Sequence, residues 1–488
     1  MSGFRLLLRD LPLFNPPATN QVATAERPNI VLITASGIRP DHLGINGYDH
    51  EISPNIDALA WRGTRFNQAI APASWTEPSL ASLLTSLYPS ELGITCRATI
   101  NCQPHLDPER LTLAEALQDA GYRTQAFLTN PWLTAELGFD QGFGGFESVR
   151  AEEPFDVQAM RARALGGLLG CRRGATPCEL VTKGHEFLFD SPIPPGWGDS
   201  HVLPRVARFV EIHGDERFFL WVHFAEVVPP YDPGTPFGTV PEGEIANPVG
   251  ILERIGYWEL GDPFTPREKL LPLDLETLTA LYDGEIHQMD RLVGELNVLF
   301  DEAGLIDRTL VVFTSDHGQE FMEHGGYTYG HSLHDEVVHV PLIIAGPGVV
   351  FPADVDTAVG LLDVAPTLAE IAGASWPPAI EGRSLLPALR GETLKERPVF
   401  SESLYRVTHE SKAMYRDGHK VIYHVDKDRF ELYDLKADPD EQHDLAVQVA
   451  PEGESLKRDL LQWMARTSQV ARELPRAEPP REFKNAVW

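Results

Sequence analysis

The sequence predicts an α/β protein: a large, mostly parallel sheet sandwiched by helices, followed by a smaller C-terminal antiparallel-sheet subdomain. Three observations lead there. Asn29-Ile30-Val31-Leu32-Ile33-Thr34 and Leu310-Val311-Val312-Phe313-Thr314 are continuous apolar runs, the signature of strands covered on both faces. Such runs alternate with helical stretches over most of the chain, which calls for a sheet with helices on both sides. Beyond the stretch Leu361 to Ala372 the pattern changes to short alternating segments, as in a half-exposed antiparallel sheet.

In chain order, residues 1–27 read as an arm. Ser53-Pro54-Asn55 is expected to cap a helix running to Trp61, stopped by Gly63. Thr64 to Ala71 reads as one strand. Pro78 suits a first helical position, which puts Thr76 at the amino end of a helix through Leu87. Leu111 to Ala120, His201 to His213 and the long Leu273 to Ala303 read as helices, with Gly121 and Gly304 as stops. Tyr122 to Leu128 and Phe218 to Phe224 read as strands. The segments Gly166 to Pro195 and Pro229 to Pro263 look like insertions. Ser411 to Arg416, Lys420 to Val425 and Arg429 to Tyr433 make the smaller sheet, and Glu454 to Arg466 is the helix on it. The resulting division is 28–375 for the large unit and 376–488 for the smaller one.

With 488 residues and a formal net charge of -30, the chain is ordinary in composition but uniformly acidic. That argues against a nucleic-acid partner or a polybasic membrane contact. No apolar run reaches the roughly 18–20 residues that span a bilayer, so no transmembrane segment is expected. Charge interrupts Met1 to Leu11 where a secretory signal would be apolar. The four cysteines fall in two close pairs, Cys96 with Cys102 and Cys171 with Cys178. Local disulfides and free thiols both fit, and the spacings are longer than a four-thiolate zinc site usually has, so a soluble chain is expected with its compartment left open.

Thr314-Ser315-Asp316-His317-Gly318 carries the chemistry. The strand before it delivers a carboxylate and an imidazole into a loop at its carboxyl end, where open α/β sheets place ligands. Those side chains suit a divalent cation. His324 and His331 follow within the next stretch, and His223 and Glu226 flank the end of another strand. A structural or solvated side chain is the plainer reading of Glu226, His223 and His324, while His331 stays open as a further zinc ligand.

Together with Arg27-Pro28-Asn29-Ile30-Val31-Leu32-Ile33, Arg39-Pro40-Asp41-His42-Leu43-Gly44, Pro78-Ser79-Leu80-Ala81-Ser82-Leu83-Leu84-Thr85 and Val340-Pro341-Leu342-Ile343-Ile344, the chain resembles the sulfatase family of the alkaline phosphatase superfamily. The resemblance implies a hydrolase of sulfate or phosphate esters. Thr76 stands where the family has its modifiable Cys or Ser, so no formylglycine is expected. Asp316 and His317 match metal-binding positions, while Ser36 and Gly37 stand where the family has an acidic pair. Leu80 replaces the motif arginine, and Glu226-Val227-Val228 replaces an Asp-Pro-His. On this comparison Thr76 and His331 are the catalytic candidates, Arg39 and Glu226 the substrate-binding ones, and Asp316, His317 and Ser36 the metal ones.

The expected cofactor is at most a single divalent cation, zinc or else calcium or magnesium. The replaced residues predict weak or no sulfatase activity. The alternative is an active metal-dependent phosphoesterase or phosphotransferase with a Thr76 nucleophile. A small-molecule or glycan ester is the expected partner in either case. If the alignment is right, Thr76, Ser36, Asp316 and His317 must converge.

Overall fold

The computed structural model describes residues 22–94, 105–148, 201–225, 227–229, 231, 272–378, 380–405, 409–446 and 451–473. Both cysteine pairs, Glu226, the N-terminal arm to residue 21 and nearly all of the two insertions lie outside these.

Eight strands form the main sheet, in the spatial order Ala353–Val355, Gly63–Phe66, Leu342–Ala345, Thr309–Ser315, Asn29–Ala35, Phe218–Phe224, Arg123–Leu128 and Gly145–Ser148. From Thr309–Ser315 to Gly145–Ser148 all neighbours are parallel, and Leu342–Ala345 is antiparallel to both its neighbours. Side chains alternate across the sheet because the strand period is two. Ile30 and Leu32 therefore join one core with Leu80, Leu84 and Trp221, whereas Val31 and Ile33 join another with Ile286, Met289 and Phe300 of the helix Pro272–Glu302. At roughly 1.5–3 kcal/mol for each fully buried aliphatic or aromatic side chain, this double burial explains why the runs contain no polar alternation.

The second sheet is four-stranded and antiparallel, Val399–Tyr405, His409–Arg416, His419–His424 and Arg429–Asp434. The helix Pro451–Glu473 packs on it through Leu456, Leu460 and Trp463, which meet Met414, Val421 and Leu432. The sequence reading lacked the strand Val399–Tyr405.

Local differences from expectation have physical reasons. Thr64 to Ala71 is two strands, Gly63–Phe66 and Ala69–Ile70, which belong to different sheets. Ser53 does not cap the helix Pro54–Trp61. Its hydroxyl accepts from the Gly44 amide and donates to Asp57, and Asp290 from the long helix instead accepts from the Asn55 and Ile56 amides, each at 2.8 Å. Tertiary contact has replaced a local cap. The helix Thr76–Thr85 begins two residues before Pro78, making proline its third residue. That is tolerated because the first-turn amides lack helical acceptors in any case.

Candidate active site

Three parallel strands end side by side, and their carboxyl ends supply the site. Asn29–Ala35 leads into Ser36, Phe218–Phe224 carries His223, and Thr309–Ser315 leads into Asp316 and His317. The backbone is knitted there: Asp316 donates to the Ala35 carbonyl at 2.9 Å, Ser36 to Phe224 at 2.9 Å and Gly37 to His317 at 3.1 Å. The helix Thr76–Thr85 brings Thr76 from above, tethered by the Ser79 hydroxyl to the Asp316 carbonyl at 2.6 Å.

The Ser36 hydroxyl donates to Asp316 Oδ2 at 3.0 Å and lies 3.3 Å from both Thr76 Oγ1 and His223 Nε2. Thr76 Oγ1 is 3.4 Å from His317 Nε2. All five residues are buried. Thus Ser36, Thr76, Asp316 and His317, separated by up to 281 positions in the sequence, come together as the sequence comparison requires.

The electrostatics are uneven. Burial pushes the Asp316 carboxyl above its usual range, against the pull of His317 and of hydrogen bonds from Thr76 and Ser36. Among the described residues its Oδ1 has no hydrogen-bond donor, though His317 Nε2 lies 3.5 Å away. His317 Nδ1 is 2.8 Å from the Gly318 carbonyl, so it donates there and presents the Nε2 lone pair inward. Tyr329 stacks on the same ring with centroids 4.3 Å apart. His223 is held uncharged, its pKa lowered to about 3 by burial and by His317. Its Nδ1 meets Thr34 Oγ1 at 2.8 Å, and that oxygen also accepts from the Trp221 indole at 2.9 Å.

A narrow cleft reaches Ser36 and Thr76. Trp75, Trp132, Tyr329 and Val228 supply its apolar walls, and Glu77 and Asn130 further polar groups. The remaining sequence candidates lie elsewhere. Arg39 grips Asp41 through two bonds of 2.9 and 2.6 Å and Glu323 at 2.5 Å, and it does not line the cleft. His331 pairs with Glu320 at 2.7 Å. Glu226 lies outside the described residues. Leu80 is fully buried in the core, where an arginine could not be solvated.

His223 is the neighbour of Ser36 that sequence reasoning set aside as structural or solvated. The signal for it was available: a lone histidine near the carboxyl end of an otherwise apolar strand, on the sheet edge that carries Asp316. Gly37 is also informative. It has φ +84°, and a Cβ there would fall 2.1 Å from the Val227 carbonyl oxygen. An acidic side chain cannot replace it without moving backbone, so of the two positions only Ser36 could regain a carboxylate.

A buried imidazole and a buried carboxylate at the strand ends of a helix-covered, mostly parallel sheet place a candidate site where open α/β sheets bind their ligands. Comparison with known proteins narrows this. A profile of the Sulfatase family matches residues 28–374, and one described as N-sulphoglucosamine sulphohydrolase, C-terminal, matches residues 323–469. The chain belongs to the sulfatase family, in the alkaline phosphatase superfamily.

Among its relatives, Bos taurus arylsulfatase K is 30% identical over 477 residues, covering 90% of this chain and 82% of the relative. Rattus norvegicus steryl-sulfatase is 26% identical over 535 residues, covering 89% and 87%. Among solved structures, a 2-O GAG sulfatase superposes with a TM-score of 0.68 at 22% identity, covering 93% of this chain and 96% of that one. The phosphonate monoester hydrolase of Agrobacterium radiobacter gives 0.65 at 23% identity, covering 90% and 96%. These likenesses establish a shared fold.

Proposed function

We propose that this chain hydrolyses anionic esters with the Thr76 hydroxyl as nucleophile, phosphate or phosphonate esters ahead of sulfate esters, with one divalent cation as cofactor. The observation that carries it is the buried Asp316 Oδ1, without a hydrogen bond among the described residues and 3.5 Å from the inward-facing His317 Nε2.

A cation fits that arrangement. A desolvated carboxylate oxygen, an imidazole lone pair fixed by a carbonyl behind it, and a hydroxyl form a mixed O/N donor set. Such a set suits zinc better than calcium or magnesium, which favour more oxygen ligands. Asp316, His317 and Thr76 would hold the ion, and Ser36 would fix the Asp316 carboxylate. When bound, it supplies positive charge that acidifies a neighbouring hydroxyl and draws in the ester's oxygens.

The chain's own residues do the rest. Thr76 attacks the central phosphorus, the alcohol departs with a proton, and water then opens the threonyl ester to release the acid and restore the hydroxyl. The start of the helix Thr76–Thr85 faces the anion with its positive end. His223, kept neutral, holds Ser36 from the far side without adding a charge that would compete for the ester. A plain threonine favours phosphorus over sulfur because the covalent ester must be opened by water at the central atom.

The test is elemental analysis of the purified protein with added zinc, together with turnover of aryl phosphates, aryl phosphonates and an aryl sulfate. The expected result is about one zinc per chain and turnover reduced at least ~100-fold in Thr76→Ala, the scale of losing an essential nucleophile or oxyanion contact. Turnover that survives Thr76→Ala, or a zinc-loaded chain inert on every ester class, rejects the proposal.

A further inference from the structure

A relay of hydrogen bonds ends at Asp316 and begins on a side chain that can only donate. The Trp221 indole N–H donates to Thr34 Oγ1 at 2.9 Å, and Thr34 Oγ1 is 2.8 Å from His223 Nδ1. His223 Nε2 is 3.3 Å from Ser36 Oγ, which in turn is 3.0 Å from Asp316 Oδ2. All five residues are buried, none more than 1% exposed. Parallel pairing of the strands Asn29–Ala35 and Phe218–Phe224 places Thr34 opposite His223 and so sets the first links.

The protons along this relay have one consistent arrangement. Burial keeps His223 uncharged, and an uncharged imidazole carries its proton on one nitrogen only. If that were Nδ1, Thr34 Oγ1 would accept from both Trp221 and His223, leaving its own hydrogen to the Val222 carbonyl at 3.5 Å. Nε2 would then compete for the Ser36 hydrogen with Asp316, a closer and stronger acceptor. With the proton on Nε2 every link pairs a donor with an acceptor: Trp221 to Thr34, Thr34 to His223, His223 to Ser36 and Ser36 to Asp316.

We infer that Thr34 is a positioning residue for the site: its hydroxyl, turned by Trp221, holds His223 as the Nε2–H tautomer, which commits the Ser36 hydrogen to Asp316 Oδ2 and reserves Oδ1, with the His317 lone pair, for the cation. This rests on the cation-dependent ester-hydrolase reading above. Thr34 acts through His223 and Ser36 on a carboxylate that would bind the ion. Partners behind a metal ligand change affinity about 10- to 100-fold, and Thr34 stands several links back, so about tenfold is expected of it.

Two measurements test this, one on the metal-free protein and one on zinc affinity. Proton–nitrogen correlation spectra of isotope-labelled histidine rings, with the His223 signals assigned by their loss in His223→Gln, report which nitrogen carries the proton. Nε2–H is expected in the wild type and in Thr34→Ser, and signals averaged between the two tautomers in Thr34→Val. Zinc affinity, read by competition with a chelator, should fall about tenfold in Thr34→Val and stay within about twofold of wild type in Thr34→Ser. In the Ser36→Ala background Thr34→Val should cost nothing further, because the hydroxyl acts through Ser36; a merely structural threonine would give losses that multiply. Thr34→Ala, read in the same way, stands in if Thr34→Val does not fold. Nδ1–H in the wild type, a tautomer indifferent to loss of the Thr34 hydroxyl, or multiplied losses in the double variant overturns the inference. No zinc binding, with the tautomer and its dependence on Thr34 as expected, would reject the ester-hydrolase reading and support the hold of Thr34 on His223.

Discussion

Two buried polar clusters lie close in sequence and differ in how far their groups are satisfied. Among the side chains of Ser36, Thr76, Asp316 and His317 the contacts are long, 3.0 to 3.5 Å, and a carboxylate oxygen has no hydrogen bond among the described residues. Around His324 and His334, each ring nitrogen has a protein partner. Their rings stack with centroids 3.6 Å apart, His324 Nδ1 meets Glu336 at 2.8 Å and its Nε2 meets the Glu441 carbonyl at 3.0 Å. Next to them Lys420, wholly buried in the second sheet, bridges Asp335 and Glu441 at 2.7 Å each.

His324, His334 and Glu336 could by spacing hold an ion, their ligand atoms lying within 4.8 Å of one another. Both His324 nitrogens are already spent on protein acceptors, however, which marks a cationic clamp between the two sheets. The lesson is that imidazoles whose nitrogens are both engaged by protein groups point to structure, whereas a lone pair turned toward a buried carboxylate oxygen points to a ligand.

That contrast can be broken at four places. The largest expected effect is on stability at the clamp. Lys420→Met leaves Asp335 and Glu441 buried without their cation and should cost about 3–5 kcal/mol, read by denaturant unfolding. At the other cluster the sign reverses: Asp316→Asn removes an uncompensated carboxylate, so the melting temperature should hold or rise while turnover falls ~100-fold. A destabilised Asp316→Asn would mean that this carboxylate is structural too.

The third concerns pH, where the two clusters respond oppositely. His324 is raised to about 9 by Glu336 and the Glu441 carbonyl, against the opposing effect of burial. Its folded pKa exceeds its unfolded one, so its stabilisation is complete below about 6.5 and disappears as pH rises through 9. After allowance for solvent screening this is on the order of 2 kcal/mol, and His324→Gln should flatten the stability profile between pH 7 and 10. His223, lowered to about 3, acts the other way. The unfolded chain binds its proton first, so stability should fall by about 1.4 kcal/mol per pH unit below 6.5, a slope absent in His223→Gln.

The smallest effect belongs to Ser36→Ala. Loss of its 3.0 Å bond to Asp316 should lower turnover about tenfold with little change in stability. Conversely, Ser36→Asp should tighten zinc binding about 10- to 100-fold, measured by competition with a chelator. An equal response in Gly37→Asp would contradict the close approach of Val227 to that backbone.

Much of this is legible in the amino-acid sequence alone. The apolar runs at Asn29 and Leu310, the Asp316-His317 pair beyond one of them and Thr76 at a helix start are local signals, because burial on both strand faces and helix-end chemistry impose residue types directly. Less legible was what each polar group would meet. Arg39 and His331 looked available and are held by Asp41, Glu323 and Glu320. Asp290 caps a helix 235 positions away, which no local rule anticipates.

The sequence by itself determined the layered α/β class, the second antiparallel sheet and the residues delivered to the strand ends, since periodicity and chain-neighbour chemistry are properties of short segments. Only the tertiary structure decided that His223 joins Ser36 and that Trp132 and Tyr329 line the cleft with Trp75. It also decided that His324 is a clamp between sheets. Each of those outcomes depends on which distant side chain fills a hydrogen bond or a face, and that is fixed by packing rather than by neighbours along the chain.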